Sequence, residues 1–155
     1  MSDPITRRTL LAQGSLLALG LTGITRLLSA SRFKTPMLVY KDPGCACCEQ
    51  WVALMRGSGF VVSVRNTTDM ATIKRRYQVG PELASCHTAL VEGYLIEGHV
   101  PADLVQKLIR EKPKTLGLAV PGMVTGSPGM EGAHPQPYQV LSFDAAGKTS
   151  VYARR

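Results

Sequence analysis

The sequence predicts one mixed α/β domain organised around a cysteine-rich turn, and three observations lead to this prediction. Short apolar runs alternate with segments of helical spacing between residues 37 and 112. Three of the four cysteines fall within four consecutive positions, shortly after the first apolar run. A long segment rich in Gly, Pro and Met then separates this alternating region from a C-terminal β-hairpin. The length of 155 residues leaves room for one such domain and an N-terminal extension.

The first strand, helix and second strand are predicted from apolar runs and turn residues. Residues 37–40 are apolar and predict a buried strand, after which Pro43-Gly44 forms a turn. Helical spacing over residues 49–56 places the preceding thiols on the first turn of a helix, where the positive end of the helix dipole favours a thiolate. The apolar run 60–64 predicts a second buried strand.

The next helix, hairpin and helix are predicted in the same way. Residues 66–69 supply a turn and an N-cap for a helix over residues 70–78. Strands are predicted on either side of the tight turn Glu92-Gly93, and Pro101 opens a helix over residues 102–112. The hairpin strands cover residues 88–91 and 94–96.

The predicted order is strand, helix, strand, helix, strand, strand, helix (βαβαββα), which is the order of a thioredoxin-like domain. In that fold the first strand-to-helix turn carries a Cys-x-x-Cys pair, here Cys45 and Cys48. The loop that enters the third strand lies beside this turn, so Cys86-His87 is expected to approach the other thiols. Thioredoxins have a cis-proline in that loop, whereas the nearest proline here is Pro81. This departure weakens the case for ordinary disulfide exchange and favours metal binding.

The segment 113–136 has no periodic pattern, and such a long loop in a small domain is usually functional or disordered. It contains a short repeat, since Pro121-Gly122-Met123 recurs as Pro128-Gly129-Met130. Residues 138–143 and 149–152 then predict a C-terminal hairpin that extends or covers the sheet.

The N-terminal residues have the features of an export signal. An uncharged segment rich in Leu, Ala and Gly follows Arg7-Arg8 and precedes the small-residue pattern Ser29-Ala30-Ser31. The string Thr6-Arg7-Arg8-Thr9-Leu10-Leu11 resembles the twin-arginine type of signal. We therefore expect a signal over residues 1–31, a mature domain over residues 32–155 and a periplasmic location. A retained membrane anchor is the alternative.

The net charge of +7 does not by itself indicate a nucleic-acid partner. Basic residues are not interleaved with aromatic residues in any run, and Lys74-Arg75-Arg76-Tyr77 is better interpreted as the solvated face of a helix. We therefore expect no nucleic-acid binding.

The cysteine cluster predicts a metal site of soft character. Thiolates, thioethers and imidazoles in an exported protein indicate copper(I) first and zinc second. Adjacent sulfurs cannot all bind one tetrahedral ion without strain, because ligands of a zinc site are usually spaced by two to four residues. Thiolates shared among several ions relieve this strain. The hypothesis is therefore a polynuclear cuprous site held by Cys45, Cys47, Cys48 and Cys86.

Further ligands are predicted in and beside the loops. His87 follows Cys86 directly, and Met123 and Met130 occupy equivalent places in the loop repeat, with His134 just beyond. These residues are secondary candidates for holding or gating copper. His99 is interpreted as a structural residue ahead of the third helix.

Five segments carry a family resemblance: Cys45-Ala46-Cys47-Cys48-Glu49-Gln50-Trp51, Ser85-Cys86-His87-Thr88-Ala89, Gly93-Tyr94-Leu95-Ile96-Glu97-Gly98-His99-Val100-Pro101-Ala102, Gly117-Leu118-Ala119-Val120-Pro121-Gly122-Met123 and Gly126-Ser127-Pro128-Gly129-Met130-Glu131. In this order they resemble the motifs of the CopG-type copper-resistance proteins, a family long catalogued as a domain of unknown function. That family usually has glycine where this chain has Ala46.

The resemblance implies a periplasmic thioredoxin-like protein that binds a cuprous cluster through Cys45, Cys47, Cys48 and Cys86. It further implies a role in copper tolerance, with redox conversion of copper as one route. The partners would be copper ions, other periplasmic copper-handling proteins and an electron donor or acceptor. Three functions remain open: a copper store or chaperone, a copper oxidoreductase, and a thiol–disulfide oxidoreductase in which Cys45 is the nucleophile and Cys48 resolves.

Overall fold

A computed structural model describes residues 34–155. This part of the chain forms one mixed α/β unit with a seven-stranded sheet in the order β2-β1-β3-β4-β5-β6-β7. The strands are β1 Pro36–Lys41, β2 Val61–Asn66, β3 His87–Val91, β4 Tyr94–Glu97, β5 Gly117–Ala119, β6 Gln139–Phe143 and β7 Thr149–Arg154. The helices are α1 Ala46–Gly57, α2 Met70–Arg76 and α3 Ala102–Glu111, with a 3₁₀ turn at Pro81–Leu83. The predicted export signal, residues 1–31, lies outside the described residues.

The strand pairings place the start of α1 beside the start of β3. β1 runs parallel to β2 and antiparallel to β3, so the C-terminal end of β1 lies next to the N-terminal end of β3. In this register Lys41 pairs with His87. Because α1 begins a few residues after Lys41, the cysteines at its start approach the loop that carries Cys86.

A core of apolar side chains holds the helices against the sheet. Trp51 on α1 is fully buried, and its indole N–H donates to the carbonyl of Val100, 2.9 Å away. Val105 and Leu108 on α3 are also fully buried and belong to this core. Within residues 34–155, no helix has the length and apolar character required to cross a membrane.

Two predictions about strands were wrong. Residues 60–64 were predicted to form a buried strand, but β2 lies at one end of the sheet and its Val61 is 56% exposed. Residues 113–136 were predicted to contain no regular element, but β5 pairs with both β4 and β6. A three-residue strand is too short to produce a periodic pattern. The predicted C-terminal hairpin is confirmed, because β6 and β7 extend the sheet.

Candidate metal centre

Three cysteines occupy the N-terminal end of α1. Cys45 is the N-cap residue, with an extended backbone, and Cys47 and Cys48 lie in the first turn. The turn before the helix is closed by Asp42, whose carboxylate accepts from the Gly44 N–H and whose carbonyl accepts from the Cys45 N–H. The thiols therefore stand where the helix dipole is positive, as predicted.

The four sulfur atoms form one cluster within the described residues. The Sγ atoms of Cys45, Cys47, Cys48 and Cys86 all lie within 4.8 Å of one another. Cys45 and Cys48 are joined as a disulfide, whereas Cys47 and Cys86 are free and half-buried. The Cys47 Sγ atom lies 3.5 Å from the Cys45 Sγ atom. The fold thus brings Cys86 to the helix cysteines across a long sequence separation.

The loop that carries Cys86 is held by a buried carboxylate. Glu97 is fully buried at the end of β4 and accepts from the Ser85 N–H at 2.7 Å and from the Thr88 hydroxyl at 2.6 Å. Lys74 forms an ion pair with the same carboxylate. Burial raises the pKa of Glu97, and the Lys74 ammonium opposes that rise. Glu97 therefore fixes the backbone one residue before Cys86, and sequence reasoning did not identify it.

The hydrogen bond from Thr88 to Glu97 gives a direct test of this anchor. We expect Thr88→Val to lower the free energy of unfolding by about 2 kcal/mol, because a buried carboxylate loses a donor while the β-branched shape is kept. Urea unfolding of the metal-free protein measures the change. Thr149→Val, at an exposed strand position, is the matched control and should change stability by less than about 0.5 kcal/mol. Equal effects of the two variants would contradict the anchoring role.

Two buried histidines meet the Cys86 sulfur. The Nδ1 atom of His87 lies 3.3 Å from the Cys86 Sγ atom, and the Nε2 atom of His99 lies 3.0 Å from it. Both imidazoles are fully buried, and the His87 ring packs on the Trp51 indole with centroids 4.3 Å apart. The Nδ1 atom of His99 bonds to the Pro128 carbonyl at 2.7 Å. Cys86, His87 and His99 form a second group of ligand atoms within 4.8 Å of one another.

His99 was interpreted from the sequence as a structural residue, yet it stands beside Cys86. The signal that identifies it is the hairpin register. Thr88 pairs with Glu97 across the β3–β4 hairpin, and continuing that antiparallel register by two residues sets Cys86 opposite His99. The tight turn, Glu92-Gly93, fixes this register because both residues have positive φ, 48° and 82°.

Burial sets the protonation states of this group. Burial lowers the pKa of His87 well below its usual range, and it also lowers the pKa of His99. Burial, reinforced by the neighbouring Cys47 thiol, raises the pKa of Cys86 to about 12. At neutral pH the imidazoles are therefore neutral and Cys86 is a thiol, so a metal ion must displace the Cys86 proton.

The buried His87 predicts a loss of stability in acid. The unfolded chain protonates this imidazole below its ordinary pKa of about 6.5, whereas the folded chain keeps it neutral because of burial and the nearby His99, Lys74 and Lys41. The unfolded state therefore binds more protons at low pH, and stability falls as the pH falls below about 6.5. We expect the metal-free protein to lose about 1.4 kcal/mol more than His87→Phe between about pH 7.5 and about pH 5.5.

Urea unfolding at the two pH values measures that difference. Phenylalanine keeps a ring against Trp51 but cannot titrate, so subtracting its pH profile removes the opposing contribution of Glu97. Identical pH profiles for the two proteins would mean that His87 has the same pKa in the folded and the unfolded chain, and would contradict the lowered pKa.

The Gly/Pro/Met loop packs on the cysteine helix at one point. Gly129 is buried, and a Cβ atom built there would lie 2.8 Å from the Trp51 backbone nitrogen and 3.0 Å from the Cys47 carbonyl oxygen. Glu131 supports this contact by accepting from the Gly129 N–H at 2.9 Å, and that bond lowers the pKa of its carboxyl. The second unit of the repeat therefore packs on the backbone of α1, the helix whose N-terminal end carries three of the four cysteines.

The predicted loop ligands occupy different positions around the cluster. Met123 is 62% exposed and borders, with Cys86, an open cavity of about 320 Å³. Met130 is half-buried, one residue after Gly129. His134 is exposed and is not among the described residues whose ligand atoms converge within 4.8 Å. Lys41, which the sequence did not indicate, is fully buried and pairs with Glu49 at 2.7 Å.

Comparison with known proteins agrees with the family resemblance. Residues 83–130 match a family model described as "Protein of unknown function, DUF411". Two solved structures, "Copper resistance protein copG" Form 2 and Form 1, are each 40% identical to this chain. Each alignment covers 79% of this chain and 98% of the solved chain, with TM-scores of 0.75 and 0.74. The search of curated proteins gave no match.

The residues matched by the family model include Cys86 and both units of the Gly/Pro/Met repeat. The cysteine cluster and the copper-resistance relatives are together consistent with copper binding. At 40% identity over nearly the whole of the solved chain, this chain belongs to the CopG family of copper resistance proteins.

Proposed function

We propose that this protein is an exported copper(I)-binding protein that contributes to copper tolerance. The observation that carries the proposal is the convergence of four sulfur atoms, from two distant segments, within 4.8 Å of one another. The donor set fits the ion, because thiolates are the ligands that copper(I) prefers. With Cys47 and Cys48 adjacent in sequence, thiolates that bridge more than one ion fit this cluster better than a single tetrahedral ion does.

The oxidation state of Cys45 and Cys48 determines whether this proposed site can bind copper(I). While Cys45 and Cys48 are bonded to each other they cannot act as thiolate ligands, so copper(I) loading requires their reduction. Reduction of the disulfide takes up two electrons, and oxidation of a cuprous ion releases one. A redox conversion that cycles this disulfide would therefore oxidise two copper(I) substrate ions for each disulfide reduced, or run in reverse.

A thioredoxin-like arrangement and a periplasmic location complete the proposal. The sheet order β2-β1-β3-β4, with α1 between β1 and β2, supports a thioredoxin-like core followed by a C-terminal extension. The twin-arginine-like signal over residues 1–31 supports export. Residues 34–155 contain no cis peptide bond, so the cis-proline of thioredoxins has no counterpart beside this disulfide.

The experiment that tests copper binding is an anaerobic copper(I) titration of the reduced protein, with metal counted against protein by elemental analysis. We expect more than one copper ion per chain in the reduced protein, and a lower content once the Cys45–Cys48 disulfide has formed. One ion or none in the reduced protein would reject the polynuclear site.

A second candidate function is thiol–disulfide exchange with protein substrates. The Cys45–Cys48 disulfide at a helix N-terminus is the observation that favours it. The Cys47 thiol, 3.5 Å from Cys45 Sγ, offers a further nucleophile beside that disulfide. Reduction of insulin disulfides needs only the Cys-x-x-Cys pair. Activity that persists in Cys86→Ser, together with one copper ion or none in the unmodified protein, would favour this function.

A further inference from the structure

The hairpin β3–β4 carries a set of ligand atoms that does not include any cysteine of α1. Cys86 Sγ lies 3.3 Å from His87 Nδ1 and 3.0 Å from His99 Nε2, and the three ligand atoms all fall within 4.8 Å of one another. These separations are of the size found between neighbouring ligands of one metal ion, where metal–nitrogen distances are about 2.0 Å and metal–sulfur distances about 2.3 Å.

The hydrogen bond of His99 to the Pro128 carbonyl leaves the Nε2 atom able to bind a metal ion. The Pro128 carbonyl can only accept, so the His99 nitrogen that faces it, Nδ1, carries the hydrogen. Nε2 then presents its lone pair towards the Cys86 sulfur. A backbone carbonyl that fixes the tautomer of a histidine in this way is the usual outer partner of a metal-bound imidazole.

His87 supplies the third donor atom of this group. Its ring is fully buried, and its Nδ1 atom lies 3.3 Å from the Cys86 sulfur. Within residues 34–155 its other ring nitrogen, Nε2, has no hydrogen-bond partner, so Nδ1 is the His87 atom in position to bind a metal ion together with Cys86.

We propose that Cys86, His87 and His99 form a second metal site, which binds one borderline divalent ion while Cys45 and Cys48 are joined as a disulfide. One thiolate with two imidazoles suits zinc and similar first-row ions better than a soft cuprous cluster. The cavity beside Cys86 and Met123 gives such an ion a path of entry. This inference rests on the proposed function in one respect: both sites use Cys86, so the state of the disulfide selects between them.

Cobalt(II) is the probe for this site, because its thiolate charge-transfer absorption reports a sulfur ligand. The protein is prepared with the Cys45–Cys48 disulfide formed, checked by a count of two free thiols, and titrated without oxygen. We expect one cobalt(II) per chain, a thiolate-to-cobalt band, and displacement of cobalt(II) by zinc(II). The absence of this band would overturn the proposal.

Variants test the ligand set. A triple variant that combines Cys45→Ser, Cys47→Ser and Cys48→Ser should keep the cobalt(II) band. Adding Cys86→Ser to this variant should remove the band. His99→Phe should lower cobalt(II) affinity at least about tenfold, and His99→Gln is a second variant if phenylalanine disturbs the fold. Unchanged affinity in a folded His99 variant would overturn the proposal, as would loss of the band in the triple variant.

The two proposals fail in different ways. Copper(I) loading of the reduced protein without cobalt(II) binding to the disulfide form leaves the proposed function intact and rejects the second site. Cobalt(II) binding to the disulfide form, with one copper(I) or none in the reduced protein, supports the second site and rejects the cuprous cluster.

Discussion

Replacing Cys86 with serine is expected to weaken copper(I) binding by at least about 100-fold and to reduce the copper content of the reduced protein to one ion or none. Cys86 is the only sulfur of the cluster that does not come from the start of α1. Without it, the remaining three sulfurs lie on one side of the site and cannot enclose several ions. An anaerobic titration against a competing copper(I) chelator measures the change.

A second substitution, Cys47→Ser, tests whether the cluster depends on every thiolate. It should also reduce the copper content, because a bridged cluster shares its ions among all four sulfurs. Any insulin reduction by the Cys-x-x-Cys pair would survive both substitutions, since it needs neither Cys47 nor Cys86. An unchanged copper content in Cys86→Ser would mean that the loop before β3 does not contribute to the copper site. That result would restrict copper binding to the helix cysteines.

The position of the three helix cysteines could be predicted from the sequence because it is determined by residues close to them in the chain. Cys45, Cys47 and Cys48 follow a turn and precede a helical pattern, so their position at a helix N-terminus depends on neighbouring residues only. α1 nevertheless begins at Ala46, a few residues earlier than predicted. The predicted approach of Cys86 to this turn is observed, and it depended on the fold order rather than on any feature near Cys86.

The rest of the site depends on pairings between distant residues. His99 faces Cys86 through the hairpin register, and Lys41 pairs with His87 across β1 and β3. A lysine at the end of a predicted strand gives no indication that it is buried, since most lysines are exposed. The Glu49 carboxylate that pairs with this buried lysine lies in the first turn of α1, and its side chain is 57% exposed.

The two strand predictions that were wrong have related causes. An apolar run such as Val61-Val62 indicates a strand but does not say whether a neighbour covers both of its faces, and β2 is an edge of the sheet. The position of β5 depends on how closely its backbone packs beside β4, and no hydrophobic pattern in the sequence indicates it. A Cβ atom on Gly117 would lie 2.0 Å from the Leu95 carbonyl oxygen, so the glycine permits the close pairing of β5 with β4.

The largest expected loss of stability follows from Gly129→Ala, where the Gly/Pro/Met loop packs on α1. The added methyl group would enter the 2.8 Å approach to the Trp51 backbone nitrogen and the 3.0 Å approach to the Cys47 carbonyl, and neither backbone atom can move without displacing α1. Gly129 also has φ of 83°, which L side chains rarely adopt. We expect a loss of about 4 kcal/mol in the free energy of unfolding, measured by urea unfolding of the metal-free protein.

The loop repeat supplies a matched control for this substitution. Gly122 stands in the first Pro-Gly-Met unit with a similar φ of 71°, but a Cβ atom there would meet nothing within 4 Å. Gly122→Ala should therefore lower the free energy of unfolding by about 1 kcal/mol, the strain of a positive φ alone, and leave the copper content unchanged. The difference between the two variants isolates the contact with α1. Equal losses would mean that the loop is not packed against the cysteine helix in solution, and the second Pro-Gly-Met unit would then have no part in covering the site.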